Sequence, residues 1–357
     1  MTPDPTPRIN SLDQFRGYTV AAMLVVNFLS SFKQAAHPLL LHHNTYCSFA
    51  DLVMPQFLFA VGFSLRLVSN KYTTRIGTAP TKLRFLKRSL ALVLFGCLFY
   101  GLDGSYKSWD GLQQLGLTGF FANSFHRVPL QTLTHIGLTT LWLIPVIHLS
   151  VRSLVFFATA SGLLHLGLSY LFWYDFAMAK PVIDGGLLGF LTWTVPTVAG
   201  AVAHDWVATS PRTSLKPLLL AGTTLMLLGY ALSCLGNGGG LAAPPFFAPT
   251  HEPGLFTMSQ RAGSLSYLTF AAGFSLALMA AFVAIADIKH FKLTLFHDLG
   301  SNAFAAYVIH MITLNTTGNF APRDAPLYYA TAYTLTLCLL GWAMTRWCNR
   351  RNLYLRL

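Results

Sequence analysis

Four residues near the start of the chain combine the ingredients of proton transfer: Asn27, the adjacent pair His42 and His43, and Asp51. Histidine titrates near neutral pH, ordinarily at about 6.5, so it suits a general base or an acceptor nucleophile. A carboxylate such as Asp51 can orient and charge an imidazole, or it can simply cap the helix that begins there. An amide such as Asn27 can orient an imidazole, donate to a developing oxyanion, or hold one helix to another. The sequence leaves the choice between His42 and His43 open, with His37 a distant third.

These residues need elements to carry them. Asn27 lies in an apolar segment with Asp13 and Arg16 at its mouth, and a period of 3.6 puts positions 13, 16, 20, 24 and 27 on one side. Polar side chains in lipid are expensive and normally face a bundle interior or a cavity. Asn27 follows Arg16 at a distance of about 16 Å along a helix, past the middle of the bilayer. His42 and His43 lie in the hairpin that follows, and Asp51 opens the next apolar segment. Gln131 and His135 are spaced as an i, i+4 pair on a fourth segment just after Arg127, which predicts a cavity wall. Asp184 precedes two glycines at the entry to a sixth segment, and Asn302 and His310 share one side of a ninth, about 12 Å apart. His165 is read as a satisfied core histidine, and His204-Asp205 as a cap at the inner end of the sixth segment.

Composition sets the class. The chain has 357 residues, 54% hydrophobic and 10% charged, and its mean hydropathy is +0.51. Soluble domains carry roughly 25% charged residues, so this is a membrane composition. Ten apolar runs approach the ~20 residues that span a bilayer: 15–33, 49–69, 88–103, 129–150, 153–173, 186–206, 216–235, 264–286, 298–316 and 327–346. Alternating the loops between them places 18 of the 24 Lys and Arg residues on one side. By the positive-inside rule that side is cytoplasmic. The expectation is an all-α polytopic transmembrane bundle of about ten spans with both termini cytoplasmic. It forms a single integral-membrane domain over 1–357, with a polar start (1–10) and a basic tail (347–357). The net charge of +12 is dispersed between apolar runs, which argues against nucleic-acid binding. Met1–Asn10 is polar and no small-residue cleavage site follows, so no cleavable signal peptide is expected. The five cysteines show no paired spacing, so neither a disulfide framework nor a metal site is expected. Nucleotide-loop, HExxH and GxSxG motifs are absent.

The stretch Ser11-Leu-Asp13-Gln-Phe-Arg16-Gly, then Asn27, a histidine-bearing hairpin and Ala50-Asp51-Leu-Val-Met-Pro-Gln-Phe, resembles the heparan-α-glucosaminide N-acetyltransferase family and its bacterial relatives. Its opening is also similar to wider integral-membrane acyltransferases that modify surface sugars. Asp184-Gly-Gly-Leu-Leu-Gly resembles that family's DPEGLL segment, and Gly300-Ser-Asn302 through Tyr307-Val-Ile-His310 its GxNxxxxYxxH helix. Arg127-Val-Pro-Leu-Gln131 echoes its RxPGVLQR motif, with the second arginine replaced around Thr134-His135.

The resemblance implies transfer of an acetyl group from cytosolic acetyl-CoA, as co-substrate, to an extracytoplasmic amino sugar or glycan. It matches Asn27 to the catalytic asparagine. The family's His-x-x-Trp hairpin is not reproduced, and His42 is the better-placed match to its histidine, His43 the next. Asp51 would support the imidazole. Arg16, Arg66, Lys87 and Arg88 are the candidates for holding the CoA phosphates, and Asp13 joins Arg16 in the expected cofactor site. Arg127, Gln131, His135, Asp184, Asn302 and His310 are the candidates for the acceptor. The implied location is a bacterial cytoplasmic membrane. The partners are acetyl-CoA, a sugar and the bilayer, with no metal and no nucleic acid, and homo-oligomerisation is left open. A proton-coupled transporter or lipid-linked sugar flippase is the alternative, with the same histidines and carboxylates relaying protons.

Overall fold

The computed structural model describes residues 9–102, 108–124, 128–237, 240–249 and 252–355. It is 76% helix, and no strand occurs among the described residues. In chain order the helices are α1 (Asn10–Leu29), α2 (Phe49–Ile76), α3 (Thr78–Gly101), α4 (Trp109–Ser124), α5 (Thr132–Leu143) and α6 (Val151–Leu168). A π-helical stretch joins α6 to α7 (Tyr174–Ala179), and α8 (Gly189–Thr209), α9 (Pro211–Cys234) and α10 (Leu265–Phe282) follow. The last three are α11 (Thr294–Ser301), α12 (Ala303–Thr317) and α13 (Leu327–Arg350).

By length and apolar composition, five helical stretches among the described residues can cross a membrane: Phe49–Ile76, Val151–Ala179, Gly186–Thr209, Pro211–Cys234 and Leu265–Ile288. All ten predicted apolar runs are helical for most of their length, but two differ from the expectation. The run 298–316 is two helices, because Asn302 leaves helical geometry (φ −137°, ψ 47°) between α11 and α12. The run 129–150 holds only the 12-residue α5, followed by hydrogen-bonded turns through Leu149.

Helices α2, α8 and α10 form the buried centre, whereas α6 and α9 present leucines such as Leu163, Leu220 and Leu227 outward. With lipid outside, apolar burial drives helix association weakly, so close backbone approach at small residues matters more. Two crossings show it. A Cβ at Gly62 of α2 would lie 1.7 Å from the carbonyl oxygen of Thr197, and one at Gly200 of α8 would lie 1.9 Å from that of Phe59. A Cβ at Gly17 of α1 would meet the Phe296 carbonyl at 1.6 Å, and one at Gly300 of α11 that of Asp13 at 1.7 Å. No side chain larger than hydrogen fits there, and these contacts fix α2 on α8 and α1 on α11.

Candidate active site

Ser48 begins α2 with a capping box. Its Oγ accepts the Asp51 N–H at 3.2 Å, and the Asp51 carboxylate accepts the Ser48 N–H at 2.9 Å through Oδ2. The other carboxylate oxygen, Oδ1, accepts from Nδ1 of His42 at 2.9 Å. Asp51 therefore takes up both roles that its sequence position suggested, one with each oxygen. Placing the proton on Nδ1 leaves Nε2 of His42 as the basic nitrogen. Pro55, inside α2, has no N–H to offer the carbonyl four residues back, which belongs to Asp51. The buried Tyr267 hydroxyl donates to that carbonyl instead, which ties α10 to the start of α2.

His42, held from behind by the buried Asp51, borders a cavity of about 400 Å³ at one end of the bundle, lined also by Asn27, Gln131, Asp184, Gln260 and Tyr307. Asp184 is buried in left-handed geometry (φ 54°), ahead of Gly185 and Gly186 at φ 77° and 55°. This turn points its carboxylate at Gln260, whose Nε2 donates to Oδ1 at 2.7 Å, while the Asp184 carbonyl accepts from the Trp193 indole at 2.7 Å. Burial raises the Asp184 carboxyl to about 6, against the His42 charge and the Gln260 bond that hold it down. For His42, burial works against the charged form. The bond to Asp51, the charges of Asp51 and Asp184, and the Gln260 side chain outweigh it, so the imidazole titrates above its ordinary value. This end of the bundle thus holds an oriented imidazole with a strengthened affinity for protons.

On the facing wall, the amide Nδ2 of Asn27 donates to Nε2 of His310 at 3.3 Å, and His310 is buried against the Phe28 ring. Asn27 itself lines the cavity. His43 is elsewhere. Its Nε2 bonds the Pro38 carbonyl oxygen at 2.8 Å, its ring stacks on Tyr46 at 4.1 Å, and it does not line the cavity.

A second cavity, of about 570 Å³, lies toward the opposite end. Its polar wall includes Arg16, Arg88, Ser64, Ser89 and Asn302, and the rest is largely apolar. Arg16 donates to Ser64 and lies 3.7 Å from Asp13. The tail after α13 reaches this cavity through Tyr354 and Leu355, held by Asn302, which donates to the Leu353 carbonyl at 2.8 Å and accepts from the Leu355 N–H at 3.4 Å.

Several predicted residues stand apart from these cavities. Arg66 does not line the second cavity, since it is buried in an ion pair with Asp205 (2.8 Å) and donates to the carbonyls of Ile147 and Leu149. His204 joins Asp205 at 3.0 Å, so this end of α8 is a structural junction. Gln131 precedes α5 in extended geometry (φ −125°, ψ −168°) rather than lying on the helix, so the expected i, i+4 wall does not form. Gln131 lines the outer cavity, while His135 is buried near the Trp193 ring, 6.1 Å between centroids. Asn302 and His310, expected on one wall, belong to different ends, because the chain breaks at Asn302. His165 is buried with Ser169 Oγ at 3.3 Å. Arg127 lies outside the described residues.

Sequence reasoning assigned no role to Gln260, Phe57, Thr132 or Tyr307. The polar run Ser259-Gln260-Arg261 just before an apolar segment was the available signal for Gln260, and Tyr307 stands inside the quoted motif of α12. Phe57 and Thr132 carry no such signal.

Among curated proteins nothing matches the chain. The sequence model of the family described as "Heparan-alpha-glucosaminide N-acetyltransferase, catalytic" matches residues 8–233, which include Asn27, His42, Asp51, Arg88, Gln131 and Asp184. That is well over half of the chain, which therefore belongs to the heparan-α-glucosaminide N-acetyltransferase family.

Proposed function

We infer that the protein transfers an acetyl group from acetyl-CoA, held in the Arg16–Arg88 cavity, to an amino sugar in the His42 cavity. The observation that carries this reading is the pairing of two cavities end to end. One has arginines and an apolar wall suited to the phosphates and pantetheine of CoA, and the other is lined by both an oriented imidazole and an asparagine. The charge count argues for ten spans in one membrane domain, both termini and the arginine cavity on the cytoplasmic side, in a bacterial cytoplasmic membrane. The break at Asn302 is compatible with that count, because irregular backbone at membrane depth is tolerated where it lines a cavity.

In the reaction the amine lone pair forms a C–N bond to the acetyl carbon while the C–S bond breaks. His42 takes the amine proton at Nε2, Asp51 holds the resulting imidazolium, and the second amide hydrogen of Asn27 donates to the carbonyl oxygen as it gains charge. The electron pair leaves on the CoA sulfur, which takes up a proton to become the thiol. Gln131, Asp184 and Gln260 stand where acceptor hydroxyls would bind, and Asp13 orients Arg16. Arg66 serves the α2–α8 junction rather than the donor.

Purified protein incubated with labelled acetyl-CoA and a panel of amino sugars and envelope glycans tests this reading. The expected result is an acetylated sugar, with the rate lowered about 10²–10⁴-fold in His42→Ala, the range for loss of a general base. Full activity in that variant would end the role of His42. Stabilisation by sugars or ions but not by acetyl-CoA would favour a transporter.

A further inference from the structure

Three side chains separate the two cavities. Phe57 of α2, Thr132 of the first turn of α5 and Tyr307 of α12 line both. Each helix changes over at its shared residue. Along α2, Ala50, Val53 and Met54 face the outer cavity, and Ala60, Ser64 and Val68 face the inner one, with Phe57 between them. Steps of three and four keep all of these on one helix face. At the start of α5, Gln131 just before the helix is outer and Leu133 and Ile136 on it are inner, and on α12, Phe304 is inner and Met311 is outer.

The partition is held in place. The Tyr307 side chain is buried and its hydroxyl bonds that of Tyr100 on α3, while α2 is locked on α8 by the glycine contacts at Phe59 and Gly62, just after Phe57. The Tyr307 ring, fixed in this way, cannot swing aside for a bulky substrate group without breaking packing, and the half-buried Phe57 ring lines both cavities with it.

We propose that this partition selects the acyl group by length, with Phe57 the specificity-determining side chain. The inference rests on the acetyl transfer inferred above. With donor on one side and acceptor on the other, the acyl carbon must reach the wall, and whatever lies beyond the carbonyl must fit beside the Phe57 ring. A methyl group fits such a place, and each added methylene is excluded further. In apolar pockets one methylene is worth about tenfold or more in discrimination.

Dissociation constants of acetyl-, propionyl- and butyryl-CoA, measured by calorimetry on the full-length protein in detergent, test this without knowledge of the acceptor. Wild type should weaken by about tenfold per methylene. Phe57→Ala should improve the butyryl-to-acetyl ratio about tenfold or more, and the milder Phe57→Leu should move it the same way by less. Equal binding of the three thioesters by wild type, or an unchanged ratio in whichever Phe57 variant folds, overturns the partition while acetyl transfer stands. Failure of wild type to bind acetyl-CoA at all overturns both.

Discussion

At the scale of single residues, the neighbours of His42 meet two separate demands that the proposed general base would make. Asp51 fixes the tautomer, and the carboxylates of Asp51 and Asp184 lift the imidazole above its ordinary value despite burial. A base must be neutral to act, so activity should rise with pH through a midpoint above about 6.5. In Asp51→Asn the charge is lost while burial remains, and burial lowers an imidazole. The midpoint of kcat/KM against pH should therefore move to lower pH, with a lower plateau, and an unmoved midpoint would remove Asp51 from this role. His310 acts only through Asn27. His310→Ala should lower kcat about tenfold, roughly the value of one hydrogen bond to a reacting group, while the KM for acetyl-CoA stays put. A rise in KM alone would instead make it part of the donor site.

At the scale of elements, the glycine crossings set the cost of change. Gly200→Ala puts a methyl group 1.9 Å from the Phe59 carbonyl oxygen, where no side chain can move aside. Forced overpacking of this kind costs about 1–3 kcal/mol or more, so the variant should melt earlier in detergent, whereas Gly167→Ala, which meets nothing nearby, should not. Elements also explain what the sequence could disclose. The His42–Asp51 pair was legible because nine residues separate the partners and the capping box sits in the local pattern. The Asn27–His310 pair spans 283 residues and depends on how α1 packs on α12, which no periodicity contains. Apolar composition runs unbroken through 298–316, so the break at Asn302 was invisible to hydropathy. Gln131 was placed on a helix that begins one residue later, and that offset sends the side chains of Gln131 and His135 to different places. For Arg66, charge counting gave a side of the membrane but not its partner Asp205.

At the scale of the whole molecule, the two cavities meet end to end with Phe57, Thr132 and Tyr307 between them. Under the proposed function this makes the reaction sided. In sealed vesicles oriented with the α1 start outward, added acetyl-CoA should acetylate a sugar enclosed inside. Vesicles of the opposite orientation should use acetyl-CoA only when it is enclosed. Equal rates for both would mean that donor and acceptor share one face.

The Asn302 clasp on the tail bears on how the protein can be handled. Tyr354 and Leu355 form part of the wall of the Arg16–Arg88 cavity, proposed for the donor, held by two hydrogen bonds to one side chain. An affinity handle or fluorescent fusion appended after them would pull on that wall, and a protease trimming the tail would remove it. Purification from the other terminus keeps the donor cavity as the chain builds it, and a weakened affinity for acetyl-CoA in a tail-tagged preparation would be a fault of the tag.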